Sequence, residues 1–364
     1  MTHHELLISL LRAGLCEGYT PTLPDNVDWE AIRQLAQRQS VEAMVWDGIA
    51  KLAVGKHIDT NNMPDKATKL RWALSVDRAE KRYNKQQGVI AYLATLFADN
   101  DIKMMILKGY GLSLCYPTPN HRSCSDIDIW LYGKQQLADD ILRQKLGIKI
   151  DEGRHHHTVF RIDGVLVENH FDFLDIHGHH SNRDIENELI KRTEEASVAI
   201  SIDNSIVYAP PINLHALFLV RHAAAHFAAV GIVLRNITDW AMFLRHYAKE
   251  IDWTWLYDVC RKHNMDKFLD AINGFAVDYF DIDSSLLPLF TRRPKLEARI
   301  INDILSPAYS YQTPNGGIVK ISIFKVRRWW ANRWKHRLVY REGLLRSFAT
   351  QSWAHILKPT TIKR

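Results

Sequence analysis

The sequence predicts an α+β fold, a small mixed β-sheet flanked by an N-terminal and a C-terminal helical region. Three observations carry that expectation. Apolar residues recur at helical spacing before residue 100 and again after about 183. Between them lie a short apolar run, IKMMIL (102–107), and an acid/apolar alternation, DIDIWL (126–131), with the length and period of strands. HTVFRIDGVLVENHFDF (157–173) sets two alternating runs around Asp163-Gly164, a strong hairpin turn pair.

Each element follows in order. Asp28 is placed to cap a helix carrying Ile32, Leu35 and Ala36. Pro64 marks the start of a second, long helix, in which Ile90, Leu93, Ala94 and Phe97 share one face. The run 102–107 reads as a buried strand ended by Gly109, and 110–116 has room for one or two helical turns before Pro117 and Pro119 open a loop. KQQLADDILRQKLG (134–147) is a helix closing at Gly147. Beyond 183 the chain reads as helix again. Pro210-Pro211 is a break, helices follow over 214–234, 238–247 and 253–263, and Phe268, Ile272, Phe275, Ala276 and Tyr279 form a last stripe. The expected organisation is an N-terminal helical region (1–100), an α/β core (101–182), a C-terminal helical domain (183–317) and a basic aromatic tail (318–364).

The composition, 364 residues with 46% hydrophobic and 24% charged, fits a globular protein and excludes fibrous and disordered classes. Residues 1–20 lack the basic start and small-residue cleavage site of a secretory leader. The most apolar stretch, 216–234, contains Arg221, His222 and His226, which makes it a poor membrane span. Cys16, Cys115, Cys124 and Cys260 show no CxxC pairing and read as reduced thiols. The expectation is a cytoplasmic protein with no transmembrane segment. The net charge of +6 is uneven: 318–364 holds twelve Lys/Arg against one acid, Glu342, so this tail carries +11 and the rest of the chain −5. Within the tail, VRRWWANRWKHRLVYR (326–341) interleaves basic residues with Trp. It reads either as a surface for nucleic acid or an anionic membrane, or as a helix whose tryptophans pack on the acidic body.

The chemistry concentrates in 107–173. Asp126 and Asp128 are two apart in a strand, so their carboxylates project together while Ile127 and Ile129 enter the core. Like charges so close repel unless a cation lies between them, and a divalent metal such as Mg2+ suits carboxylate oxygens. Glu168, His170 and Asp172 share one face of a later strand. If that strand lies beside DIDIWL, Glu168 or Asp172 completes a three-carboxylate site, and Glu168, nearer mid-strand, is favoured. Lys108-Gly109 offers a tight turn, backbone N–H groups and a cation facing an anion. Carboxylate-bound metal on one side and anion donors on the other suit a nucleoside triphosphate, where two metals promote in-line attack on the α-phosphate. Arg122 either contacts phosphate or pairs with an acid to position it. Of His155, His156 and His157, at most two can share a strand face, and His157 with His170 is placed to approach the active face. His222 and His226 are spaced i, i+4 without the Glu of a zinc helix, which favours packing or substrate contact over zinc. Arg235 and Asp239 are spaced for an ion pair.

Together these residues resemble the nucleotidyltransferase fold of the DNA polymerase β superfamily. More closely, they resemble a bacterial family of uncharacterised nucleotidyltransferases. The matching residues are Leu107-Lys108-Gly109, Tyr116-Pro117, Arg122, Ser125-Asp126-Ile127-Asp128-Ile129 and Glu168-Asn169-His170-Phe171. His222, Arg235 and Asp239-Trp240 resemble the family's C-terminal part. Tyr110 departs from the small residue that the wider superfamily usually has after the glycine. The resemblance implies transfer of an NMP group from an NTP, ATP first, to an unidentified hydroxyl-type acceptor, with two Mg2+ ions (Mn2+ as the alternative) and release of pyrophosphate. Asp126, Asp128 and Glu168 would be the catalytic and metal-binding acids. Lys108, Gly109, Tyr110, Arg122 and Ser125 would bind the nucleotide, and His170, Asp172 and His157 would touch or support the substrate. Two other readings stand beside it. One is a nucleic-acid or partner-binding protein on an inactive core. The other is an Asp-x-Asp glycosyltransferase, which leaves Lys108-Gly109 and the third acid unexplained.

Overall fold

In the computed structural model, which describes residues 1–55, 62–309 and 318–345, three short helices come first: α1 (His3–Leu15), α2 (Trp29–Arg38) and α3 (Glu42–Val54). Asp28 caps α2, its carboxylate accepting the Ala31 amide at 2.9 Å. The α1–α3 crossing is close because it is built on glycines. A Cβ on Gly14 would lie 2.0 Å from the Met44 carbonyl oxygen, and one on Gly48 2.1 Å from that of Leu10. Helix α4 (Lys66–Ala98) starts at Asp65, whose carboxylate accepts the Thr68 amide at 2.7 Å. Its 33 residues span about 50 Å.

The sheet has six strands: β1 (Met105–Ile106), β2 (Asp126–Trp130), β3 (His157–Ile162), β4 (Val165–His170), β5 (Val198–Ile202) and β6 (Ser205–Ala209), in the order β3-β4-β2-β1-β6-β5. It is mixed, as expected from the sequence. β2 runs parallel to β4 and antiparallel to β1, and β1 runs parallel to β6. The hairpin β3–β4 turns at Asp163 and Gly164, both with positive φ (50° and 78°). A single helical turn, α5 (Tyr110–Ser113), follows β1, and α6 (Gln135–Leu146) follows β2 and closes on a left-handed Gly147.

Two expectations are corrected. The strand 102–107 is regular only over Met105–Ile106, continued by a bond from the Leu107 amide to the Asp128 carbonyl at 3.0 Å. The segment after 183 is not helical throughout: between α7 (His180–Lys191) and α8 (Ile212–Ala229) the hairpin β5–β6 joins the sheet edge. Its residues alternate around Asp203, at φ 50°, so the period is that of strands.

Strand alternation splits the sheet into two faces. Ile106, Ile127, Ile129, Val167 and Val207 pack against the predicted stripe Ile90, Leu93, Ala94 and Phe97 of α4. The opposite face carries Asp126, Asp128 and Glu168 and looks toward a cleft that residues of the C-terminal helices also line. Those helices are α8, α9 (Leu234–Tyr247), α10 (Trp253–Lys262), α11 (Asp266–Phe280) and α12 (Pro294–Leu305). The expected 214–234 helix ends earlier, before Gly231 at φ 106°, which lets α9 begin at Leu234.

The described part of the tail forms α13 (Ile318–Ala331) and α14 (Arg333–Val339). α14 packs on the body: Lys335 pairs with Asp303 at 2.5 Å and Arg299 lies 3.9 Å over the Trp334 ring. α13 leaves Ile323, Val326 and Trp330 exposed, and residues 346–364 lie outside the described residues. No described helix is long and apolar enough to cross a membrane. All four cysteines are buried and free.

Candidate active site

The register of β2 against β4 sets Asp128 opposite Glu168, and both side chains leave the same face. Asp128 is fully buried. Its Oδ1 lies 3.2 Å from Lys108 Nζ and 3.1 Å from His170 Nε2, while Oδ2 is buried with no hydrogen-bond partner among the described residues. Glu168 Oε2 lies 3.6 Å from His170 Nε2 and 3.7 Å from His157 Nε2. Asp126, half-buried at the strand start, accepts a hydrogen bond from Ser125 Oγ at 3.1 Å.

The charges are strongly coupled. Burial, then the charge of Asp128, raises the Asp126 carboxyl above its ordinary range. Burial works the same way on Asp128, but the Lys108 ammonium and His170 together hold that carboxyl well below it. In return His170, which burial alone would depress, is raised to about 9 by its hydrogen bonds to Asp128 and Glu168. Burial pushes His156 down to about 2 and His157 to about 3, so both imidazoles are neutral near pH 7.

Asp126, Glu168, Lys108, Ser125 and the histidines line a cleft of about 720 Å³, in the range of small-molecule sites, with Asp128 buried behind them. Lys108, Gly109, Ser125, Asp126, Glu168 and His170 form one wall, and His222, His226 and Arg235, from α8 and α9, form the facing wall. Gly109 turns the chain at φ 61°, and a Cβ there would lie 2.8 Å from Cys124 Sγ. The turn therefore needs glycine both for its dihedral and for its space.

Not every candidate residue reaches the cleft. Tyr110 points the other way and stacks on Tyr83, ring centroids 5.1 Å apart, in the core beneath the sheet. Asp172 lies past the end of β4, where alternation stops, and only its carbonyl meets the site, accepting from His170 Nδ1 at 3.2 Å. Arg122 does border the cleft, but it is mostly buried and doubly bonded to Asp239, at 2.8 and 2.7 Å. Of its two sequence readings, the pairing one describes this geometry, and the acid is on α9. The expected Arg235–Asp239 pair is replaced by it, and Arg235 Nη1 instead donates to the Ser123 carbonyl at 2.9 Å. Tyr116 donates to Asp239 at 2.6 Å, so motif residues from both ends of the resemblance meet at one carboxylate.

Sequence reasoning gave His156 little weight. It precedes β3, so strand alternation does not bind it, and its ring lies 5.4 Å from that of His170. Among the described residues, two groups gather donor atoms within 4.8 Å: Asp128, Glu168 and His170, and His156, His157 and His170. The unpartnered Asp128 Oδ2 and the clustered oxygens suit a divalent cation. Asp126 is outside the first group but borders it.

The profile of a family described as uncharacterised nucleotidyltransferase matches residues 25–281. A search of curated proteins returns no match. Among solved structures, the chain is similar to an antigenic nucleotidyltransferase-like protein from Paracoccidioides brasiliensis. That similarity is 14% in identity with a TM-score of 0.35, over 56% of this chain and 96% of that one. With most of its length matched by the profile, the chain belongs to the family of uncharacterised nucleotidyltransferases.

Proposed function

We propose that the protein moves an NMP group from an NTP, ATP first, to a hydroxyl-type acceptor, using Mg2+ or Mn2+. The observation that carries this reading is the pairing of Asp128 with Glu168 across adjacent parallel strands, with Glu168 and Asp126 lining a cleft large enough for a nucleotide and Asp128 buried directly behind them. Asp126 and Asp128 would hold the cation and Glu168 complete the set. Bound there, a divalent ion neutralises the triphosphate and favours ionisation of the attacking hydroxyl. Lys108 now neutralises Asp128. With a cation in place it is the nearest ammonium for the β- and γ-phosphates, beside the tight turn at Gly109. Ser125 would border the same phosphates, and His157 and His170 stand beside Glu168, with Nε2 atoms 3.7 and 3.6 Å from its Oε2.

In the reaction the acceptor oxygen bonds to the α-phosphorus. The bond from that phosphorus to the bridging oxygen breaks, and pyrophosphate leaves with the electron pair. The acceptor's proton passes to the Glu168 carboxylate. The test is an NTP labelled at its α-phosphate, incubated with the protein and a cell extract. Label should enter a new product with the wild type and not with Asp128→Asn. Label transfer that ignores Asp128→Asn would sink the reading. Transfer from a UDP-sugar would favour the glycosyltransferase. Salt-sensitive retention of nucleic acid that survives Asp128→Asn but is lost on deleting 326–364 would favour a binding role for the tail.

A further inference from the structure

Three imidazoles crowd one corner of the cleft, beyond the acids. His157 stands opposite His170 across the β3–β4 pair, and the carbonyl of His156 accepts the Phe171 and Asp172 amides at 3.1 and 3.2 Å. The hairpin ladder thus carries all three rings to its open end. The ring centroids of His156 and His157 are 4.4 Å apart, and those of His157 and His170 are 4.9 Å apart. One ring nitrogen from each lies within 4.8 Å of the others.

These nitrogens are short of partners. Nδ1 of His156 and both ring nitrogens of His157 are buried without a hydrogen bond among the described residues. Buried polar atoms are ordinarily paired, and histidines kept only for packing usually satisfy at least one nitrogen. His170 is held differently. Its Nδ1 faces the Asp172 carbonyl at 3.2 Å, an orientation that presents Nε2 as the donor to a metal. That Nε2 looks at two carboxylate oxygens, Asp128 Oδ1 at 3.1 Å and Glu168 Oε2 at 3.6 Å. A bare nitrogen against carboxylates needs a cation between them, either a proton or a metal ion.

We propose that His156, His157 and His170 form a site for a nitrogen-preferring divalent transition ion of the Zn2+ or Co2+ class, with Glu168 as its oxygen ligand. Glu168 Oε2 lies 3.7 Å from His157 Nε2, so this carboxylate joins the imidazoles to the acids. Ligand atoms about 2.1 Å from a tetrahedral ion stand about 3.4 Å from one another. The three ring nitrogens, now within 4.8 Å of one another, have to close by about 1.4 Å to reach that spacing. Three imidazoles and one carboxylate make a borderline donor set, unlike the all-oxygen set that Mg2+ takes. The inference shares Glu168 with the proposed transfer reaction, but it rests on the nitrogen atoms and not on that reaction.

The test uses the full chain, stripped with chelator and titrated with Co2+ in the absence of nucleotide. The expected result is one Co2+ per chain, visible d–d absorption of a four- or five-coordinate ion, displacement by Zn2+, and no displacement by millimolar Mg2+. His156→Ala with His157→Ala should weaken binding more than about tenfold, whereas Asp126→Asn should leave the absorption band in place. Unchanged Co2+ affinity in the double variant would overturn the site. Because that variant could misfold, the wild type loaded with Cu2+ gives a second readout. Electron spin-echo spectra should show nitrogen couplings from more than one imidazole, and spectra without them would equally overturn the proposal. No nucleotide takes part, so failure here is distinct from failure of the labelled-NTP transfer.

Discussion

Arg122 and Asp239 form a buried two-pronged ion pair, 2.8 and 2.7 Å, that ties the loop before β2 to helix α9. The loop leads directly into Asp126 and Asp128, and α9 supplies Arg235 to the opposite wall of the cleft. This pair, with the Arg235–Ser123 bond, therefore ties the loop that carries the acids to α9 at the edge of the cleft.

Breaking that pair from one side leaves a charge buried alone. Arg122→Ala is expected to lower the unfolding free energy by about 3–5 kcal/mol, measured in urea. Replacing both partners, Arg122→Leu with Asp239→Leu, should recover a large part of that loss. If the double variant is as weak as the single, the cost does not come from the stranded carboxylate.

Asp128→Asn should cut NMP transfer by about 10³-fold or more, roughly 4 kcal/mol of barrier, in the labelled-NTP assay. Asp128 also offsets Lys108, so the same variant should lower the thermal midpoint. Asp128→Asn with Lys108→Met should regain stability without regaining activity.

Gly109→Ala meets two penalties, a positive φ of 61° and a methyl 2.8 Å from Cys124 Sγ. A loss of about 1–2 kcal/mol from the dihedral alone is expected, with more from the contact. Adding Cys124→Ala should relieve the second part only. Denaturation of both variants separates the two terms.

His121 gives a pH dependence. Its Nδ1 lies 2.9 and 2.8 Å from the Asp47 carboxylate oxygens and its Nε2 lies 3.0 Å from Glu80 Oε1. Burial would lower its pKa, but Asp47 and then Glu80 overcome that and raise it. A histidine raised on folding stabilises fully below its unfolded value of about 6.5. That stabilisation is lost as pH climbs through the higher folded value. The contribution of His121 to the pH slope of the thermal midpoint should therefore be downward from about pH 6, and His121→Gln should remove that contribution, leaving the opposite one from His156 and His157, which burial holds neutral. An unchanged slope would remove His121 as its source.

The local signals were legible because strands and caps are written in short spacings. Asp28 sits at a helix start and Pro64 just before another, Asp163-Gly164 sits at a turn, and the i, i+2 acids share a face. From these the strands of the sheet core could be read, with Glu168 favoured over Asp172 on condition that the two strands are neighbours. The hairpin β5–β6 was not read, because its short edge strands lie between long helices and bury few residues. Arg122–Asp239 spans 117 positions, and no local pattern announces a partner so distant. Tyr110 was misplaced because the left-handed turn at Gly109 sends the next side chain beneath the sheet, a direction set by φ and not by strand alternation.

Lys108 gives the acids a built-in counter-ion. A carboxylate centre accompanied by its own ammonium can fold before any ion arrives, unlike small domains that stay unfolded until metal binds. The chain should accordingly survive chelation intact, and an ion at the proposed site would enter by displacing the ammonium from Asp128.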